Sequence, residues 1–518
     1  MSQKGRRISV DYKKLQNGSD IRGIAMEVPG GNPVNLTDEA CMRIGSAFIK
    51  WLETKLNKPA GEIRVAIGRD SRLTGEHISR LLADGIINCF AKAVIGGMAS
   101  TPALFMVCVN ELKFDAGIMV TASHLPMERN GMKFFTAEGG LEKADIANIL
   151  AIAEKGSFPA VSHKNYETCD IMTPYIEGLK RKIFTELNCS EDSKPFSGLH
   201  IVVDAGNGAG GFFAKRLLEP LGADISGSRF LEPDGHFPNH QPNPENKEAM
   251  QSIIDAVCES KADFGIIFDT DVDRAGAVLP SENGAIPLDR NRLIAIMSAI
   301  LRRQYGKITV VTDSVTSTGL AEFISALGCR HHRFKRGYRN VINEAKRLMK
   351  TGENAIFAME TSGHGALYEN YFLDDGAYII VKLLIELVRA KKNGTELSAL
   401  IADLKEPAES AEARPAVTSE EPQLYMEKVL SQVEKHFSAL DGFTVVQPNY
   451  EGVRVNADEA HGDGWFLIRK SLHEPLMPCN LESNSAGGVK KLAAALLESV
   501  RDFDKLDTEK LRKLAAAE

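Results

Sequence analysis

Long hydrophobic runs are missing from this chain of 518 residues. None reaches the roughly 18 apolar residues of a membrane-crossing helix, which excludes an integral protein of the helical type. Paired cysteines are missing too. The eight cysteines (Cys41, Cys89, Cys108, Cys169, Cys189, Cys258, Cys329 and Cys479) are scattered with no C-x-x-C, so neither a zinc ribbon nor a dithiol redox site is indicated. Dispersed thiols fit a reducing compartment, and the cytoplasm is expected. Excess positive charge is absent: 62 Lys+Arg against 69 Asp+Glu leave a formal charge of −7. That argues against a nucleic-acid partner but allows a small anion in a local basic pocket. The basic stretch Met1 to Gly18 has no apolar segment, so no secretory signal and no membrane partner are expected. A short plastid or mitochondrial targeting segment stays open.

What is present is the composition of ordinary soluble protein, 43% hydrophobic and 25% charged. At about 100–200 residues per domain, the length implies roughly three to five domains. Strand-like runs such as Ile63–Ile67, Asp115–Val120, Leu199–Asp204, Phe264–Phe268, Ile308–Asp313 and Ala355–Met359 alternate with helical patterns at His77–Cys89, Asp145–Ala153, Phe212–Leu221, Arg290–Leu301, Leu320–Leu327 and Ala377–Ala390. Such βα alternation predicts α/β layers with parallel or mixed sheets. Glu406–Gln423, rich in Glu, Pro, Ala and Ser, reads as a linker or exposed loop, and a smaller α+β unit follows it. The expected division is 8–171, 172–286, 287–405 and 406–518, the first three being one α/β architecture used three times.

Four loops carry candidate chemistry. Asp269, Asp271 and Asp273 alternate directly after an apolar strand, and Arg274 follows. Three carboxylates converging in one loop repel each other unless a hard divalent cation binds them. An EF-hand is excluded, because Arg274 stands at its glycine position and Pro280 at its final glutamate. A solvated acidic turn is the plainer alternative. Ser123 and His124 close the run Thr121–His124 at a strand end, with Lys133 ten residues on. A loop serine beside His and Lys could carry a phosphate, although such serines more often bond local backbone. Glu360, Ser362 and His364 share a glycine-containing loop whose donors and acceptors suit sugar hydroxyls, or simply cap the next element. Arg469, Ser471 and His473 lie on a loop that could grip a phosphate through the guanidinium fork, or be an ordinary charged loop. The run Gly206 to Gly211 matches G-x-G-x-x-G, but no acid stands at Ile225 to Ser228, where a dinucleotide site would place one. A tight turn is the better reading of those glycines.

Together and in this order, the four loops resemble those of the α-D-phosphohexomutase superfamily, which includes phosphoglucomutases, phosphomannomutases and phosphoglucosamine mutases. The resemblance runs from Asp20-Ile21-Arg22-Gly23 to about Glu482, with support from Gly68 to Arg72, Thr101-Pro102, Val203 to Gly210 and Asp234 to Pro244. It implies four domains around a central cleft, three related α/β domains and a C-terminal TATA-binding-protein-like α+β domain. It further implies that Ser123 carries a phosphoryl group, gives it to a hexose 1- or 6-phosphate, and takes one back after the bisphosphate has reoriented. Mg²⁺ would bind Asp269, Asp271, Asp273 and the phosphorylated Ser123. His124, Arg22, Lys133 and Arg274 would serve the transfer, Glu360, Ser362 and His364 the sugar, and Arg469, Ser471 and His473 the distal phosphate. Hexose 1,6-bisphosphate would act as activator.

The chain also departs from the family pattern. Leu125 replaces Asn, Met359 replaces Gly, and Leu472 and His473 replace Gly and Thr in the phosphate loop. Leu472 gives up the positive-φ freedom of glycine, and His473 adds a titratable imidazole. Beside a mutase of glucose or mannose phosphates stand three alternatives: a hexose-bisphosphate-forming phosphotransferase of the same fold, a phosphoglucosamine mutase, and a non-catalytic sugar-phosphate sensor. Ser123, the three aspartates and Lys133 argue against the sensor. The particular hexose and the oligomeric state are not legible.

Overall fold

The computed structural model describes residues 10–161, 165–282, 284–471 and 474–516. The chain forms two compact units, one of Met1–Asp289 with Ser362–Leu397, the other of Arg290–Thr361 with Ser398–Glu518.

The first unit holds two mixed sheets. In the eight-stranded sheet, Arg64–Arg69 is central and pairs in parallel with Lys92–Met98 and Ala116–Val120. Ala116–Val120 then pairs antiparallel with Arg129–Thr136, and that strand with Asp20–Ile24. Helices Asp38–Leu56 and Gly75–Asn88 pack on it, and Ile44, Phe48, Ile67, Leu82, Ile118 and Phe134 share its core. Ala116–Val120 is buried at every position, so its end delivers Thr121 to Ser123 from a rigid support.

The four-stranded sheet repeats the logic. Phe264–Phe268 lies between parallel Ile201–Asp204 and antiparallel Ala275–Ser281. Its Phe-Gly-Ile-Ile-Phe run is apolar throughout because all five residues are buried. Asp269 to Arg274 form the tight connection to the next strand, with Val272 at φ 66°. A β-branched residue is strained in that left-handed region, so the surrounding packing must hold it there. The expected helix Phe212–Leu221 is instead a short π-helix, Phe213–Leu218. The glycines before it pack against the chain itself: a Cβ on Gly211 would lie 2.1 Å from the Leu231 carbonyl oxygen. Gly206 to Gly211 are thus a turn pressed onto neighbouring backbone, as the tight-turn reading expects. The same unit holds the hairpin Gly365–Leu367 and Leu373–Asp374 and the buried helix Gly376–Lys392, capped by Asp375.

In the second unit, Thr309–Thr312 pairs in parallel with Arg330–Arg333 and Phe357–Met359. A separate five-stranded antiparallel sheet runs in the order Glu409–Ala413, Cys479–Ser483, Gly464–Ile468, Val453–Ala457, Phe443–Val445. Helices Pro422–Phe437 and Gly488–Ser499 cover it, with Val429, Phe437, Phe466, Leu481 and Leu492 in the core. This is the α+β unit expected after the α/β segments. The linker reading of Glu406–Gln423 is corrected: that stretch contains the edge strand Glu409–Ala413 and the start of helix Pro422–Phe437. Ala and Glu are poor strand formers, but pairing with Cys479–Ser483 and the placing of Ala411 and Ala413 against the core override propensity.

Candidate active site

Ser123 is buried and takes a left-handed backbone, φ 51°. Its amide donates to Thr121 Oγ1 at 2.8 Å, an ST-turn that fixes the serine end of the loop. Its Oγ lies 3.1 Å from Asp269 Oδ2 and 3.1 Å from Arg274 Nη2. One hydroxyl thus faces a carboxylate that can accept its proton and a guanidinium that can stabilise negative charge.

The acidic loop is built around cations. Lys133, on the strand beside Ala116–Val120, donates to Asp271 Oδ2 at 2.9 Å and also to Asp273 Oδ2. Thr101 Oγ1 donates to Asp271 Oδ2 at 2.5 Å. Oxygens of Asp269, Asp271 and Asp273 all lie within 4.8 Å of one another, and the three residues are buried. Asp271 Oδ1 and Asp273 Oδ1 are buried without a hydrogen-bond partner among the described residues. Buried carboxylate oxygens left unpartnered are costly, and a hard cation would satisfy them, so the donor set fits a divalent metal. Burial, then the charges of Asp273 and Asp271, push the Asp269 carboxyl well above the usual carboxylate range. Burial also opposes the charge on Asp273, but Lys133, His364 and Arg274 outweigh it and hold that carboxyl low.

Two histidines behave oppositely. Burial, then Arg274 and Arg22, push the pKa of His124 down to about 3. Arg274 Nη2 donates to His124 Nδ1 at 2.7 Å, which leaves the ring proton on Nε2. Burial disfavours a cation at His364, but Asp374 and Asp273 outweigh it and raise its pKa to about 9. His364 bonds Asp374 Oδ2 through Nδ1, and its backbone bridges antiparallel to Arg274. Arg22 pairs with Asp20 at 2.9 Å and reaches the Ala122 carbonyl at 3.5 Å. In this unit, then, the fold brings together Ser123, His124, Lys133, Arg22, Arg274, the three aspartates and His364; Ser362 is buried two residues earlier.

The second unit holds the remaining candidates. Glu360 Oε1 accepts from the Gly337 amide at 2.6 Å. Arg469 is buried, its Nη1 lies 3.7 Å from Glu451 Oε1, and its Nε has no hydrogen-bond partner among the described residues. The Ser471 amide donates to the Leu476 carbonyl at 2.9 Å. His473, with Leu472, lies outside the described residues.

Several participants escape sequence reasoning. Arg72 donates to four carbonyls of the serine loop, Thr101 to Asp271, Gln241 to the His124 carbonyl at 2.6 Å, and Asn243 accepts from Arg274 at 3.1 Å. Asp374 sets the state of His364. Arg72, Thr101, Gln241 and Asn243 sit in stretches that support the family resemblance, which was the available signal for them; Asp374 carries none.

Three family descriptions match the chain: phosphoglucomutase/phosphomannomutase, alpha/beta/alpha domain I at residues 13–160, domain II at 173–282 and domain III at 289–407. A phosphoglucomutase of Neisseria gonorrhoeae is 31% identical over 479 residues, spanning 91% of this chain and 94% of the relative. A phosphomannomutase/phosphoglucomutase of Pseudomonas aeruginosa is 28% identical over 490 residues, 94% of this chain and 95% of the relative. Among solved structures, a phosphoglucomutase/phosphomannomutase family protein from Burkholderia thailandensis superposes with a TM-score of 0.76 at 25% identity, covering 95% of this chain and 98% of that one. No helix among the described residues is long and apolar enough to cross a membrane.

Proposed function

The chain belongs to the phosphoglucomutase/phosphomannomutase family, and we propose that it works as a hexose-phosphate mutase through a phosphorylated Ser123 and a hexose 1,6-bisphosphate intermediate. Glucose and mannose phosphates are the proposed substrates, after the names of the relatives. The observation that carries this reading is the placing of Ser123 Oγ 3.1 Å from both Asp269 Oδ2 and Arg274 Nη2, beside the acidic loop.

Asp269, Asp271 and Asp273 would hold Mg²⁺, which when bound supplies positive charge to the phosphoryl group in transfer. Arg274, held by Asp269 at 3.2 Å and Asn243, presents its Nη2 to the serine oxygen and so stabilises charge there. Lys133 neutralises the acids of the loop, and Arg22 adds charge beside Ala122. His124, uncharged, orients with Arg274, whereas His364 carries a proton that a sugar oxygen could take. Glu360 and Ser362 would bond sugar hydroxyls. Arg469, Ser471 and His473 would hold the phosphate that is not reacting, which positions the sugar from its far end. Free hexose 1,6-bisphosphate would restore the phosphoserine when an intermediate escapes, acting as activator. The four segments ending at 171, 286, 405 and 518 would each contribute one loop, and the enzyme would act in the cytoplasm.

The test is direct. Intact-mass and peptide mapping should locate phosphate on Ser123 in purified protein, and Ser123→Ala should lose it together with turnover of glucose 1-phosphate. Wild-type turnover by Ser123→Ala would overturn the reading.

A further inference from the structure

The carboxylate of Glu451 is pinned beside the one guanidinium assigned to the distal phosphate. Glu451 Oε2 accepts from Ser314 Oγ at 2.5 Å and from the Arg336 amide at 3.0 Å. Those two bonds fix the side chain and turn Oε1 toward Arg469, 3.7 Å from its Nη1. Both side chains are nearly out of water, 8% exposed for Arg469 and 11% for Glu451. Glu412 and Asp313 add negative charge toward Arg469, and Arg336 adds positive charge.

This geometry is an ion pair without a hydrogen bond, since 3.7 Å is too long for one. The buried Arg469 Nε has no hydrogen-bond partner among the described residues. Arg469 therefore keeps donor capacity for a phosphate, yet any phosphate that takes it sits near a carboxylate that cannot swing away. Like charges held at a few ångströms in a poorly hydrated place repel appreciably.

We propose that Glu451 is a release-promoting anion: a fixed carboxylate that weakens the grip of Arg469 on a sugar phosphate so that the grip can be broken and remade within each catalytic cycle. The proposal rests on the reading of Arg469 as a phosphate ligand. Its purpose follows from the mutase chemistry. A bisphosphate that must reorient has to leave the distal site with one phosphate and return with the other. A site optimised only for affinity would trap the intermediate, because uniform tightening of binding does not raise kcat.

The experiment is a double-mutant cycle on the full chain, with glucose 1-phosphate as ligand. Equilibrium binding is measured by calorimetry in a Ser123→Ala background, which prevents turnover, and kcat and KM are measured with Ser123 intact. Glu451→Gln keeps the shape and the acceptor for Ser314 and the Arg336 amide but removes the charge. It should tighten binding roughly three- to tenfold, and lower KM and kcat together. Arg469→Ala should weaken binding, and in that background Glu451→Gln should no longer tighten it. Ser314→Ala, which loosens the carboxylate while leaving its charge, should tighten binding to a smaller extent and serves if Glu451→Gln does not fold. Unchanged or weaker binding by a folded Glu451→Gln, or an equal gain with and without Arg469, would overturn the proposal while leaving the phosphate-site reading intact. Undiminished binding by Arg469→Ala would overturn that reading and the proposal with it.

Discussion

Arg72 holds Ser123 by its backbone: Arg72 Nη2 lies 2.5 Å from the Ser123 carbonyl oxygen. The same guanidinium also donates to the carbonyls of Leu125, Pro126 and Arg129. Its Nε faces Asp70 Oδ2 at 3.5 Å, and both side chains are fully buried. A planar fork with five fixed donors can serve four carbonyls at once, which a lysine cannot. The left-handed backbone of Ser123 costs about 1–2 kcal/mol, and this staple offsets it.

Arg72→Lys is therefore expected to fold, with kcat falling by about 10- to 100-fold while KM changes little. Phosphate occupancy of Ser123 should fall with it. Arg72→Met leaves Asp70 buried without its cation and should destabilise the chain by about 3–5 kcal/mol. Thermal unfolding and steady-state kinetics check both. Wild-type kcat in Arg72→Lys would remove Arg72 from any role in positioning Ser123.

The acidic loop should respond to metal through stability as well as activity. An ionised Asp269 opposes folding, since its carboxyl is raised by burial and by Asp273 and Asp271. For a carboxyl raised above its unfolded value of about 3.9, stability is gained as pH falls through that window and lost as pH rises. In EDTA at neutral pH, Asp269→Asn should accordingly unfold at or above the wild-type Tm. Mg²⁺ should raise the wild-type Tm, by about 2.7 kcal/mol of stability at 100 times Kd, and leave Asp269→Asn nearly unmoved. Equal stabilisation of both proteins by Mg²⁺ would place the metal elsewhere.

The candidate site was legible where its residues are close in sequence. Asp269, Asp271 and Asp273 announce themselves because three acids in one short loop need a common partner. Thr101 does not, because its bond to Asp271 crosses 170 residues and only the fold brings the two together. Arg72 and Gln241 act through backbone carbonyls, so only the family-resembling runs around them mark them, and Asp374 acts through a second side chain and leaves no pattern at all. The fold shows the same division. Phe264–Phe268 is readable as a buried strand because every residue is apolar, whereas Glu409–Ala413 is a strand only by virtue of its partner Cys479–Ser483.

His240 should make the chain less stable on the alkaline side of neutrality. Its Nε2 lies 3.0 Å from both oxygens of Asp204, and its Nδ1 lies 3.1 Å from the Gln241 carbonyl oxygen. A ring with acceptors at both nitrogens is best satisfied as the cation. Burial lowers its pKa, but the hydrogen bond and charge of Asp204 outweigh that and raise it. A histidine raised above its unfolded value stabilises fully below about pH 6.5, and the contribution fades as pH rises through the folded value. His240→Gln should then show a flatter Tm as pH rises above about 6.5. Parallel profiles for wild type and variant would show that His240 does not titrate in this window. Gln241 and Asn243 contact the Ser123 loop and Arg274, so activity should decline with stability over the same range.

Gly208 should prove a supporting residue of the acidic loop rather than part of a nucleotide site. A Cβ there would lie 2.7 Å from the Thr270 carbonyl oxygen and 2.8 Å from its Cα. Both are backbone atoms, between Asp269 and Asp271, and the neighbouring Ala209 amide donates to the same carbonyl at 2.8 Å. Alanine at 208 therefore cannot be accommodated by a side-chain rotation; it must push the loop itself. A displacement of about 1 Å is enough to spoil three converging carboxylates, as misplacements of that order cost about 100-fold in rate. Gly208→Ala should fold, lose most of its turnover of glucose 1-phosphate, and need more Mg²⁺ to recover a given Tm increase. Gly178→Ala, at a helical glycine with open space around it and no positive φ, controls for the loss of a glycine as such and should leave both quantities unchanged. NAD should stabilise neither protein. A Gly208→Ala variant with wild-type turnover and Mg²⁺ response would show that the glycine run does not support the metal loop, and NAD-dependent stabilisation of the wild type would restore the dinucleotide reading of Gly206 to Gly211.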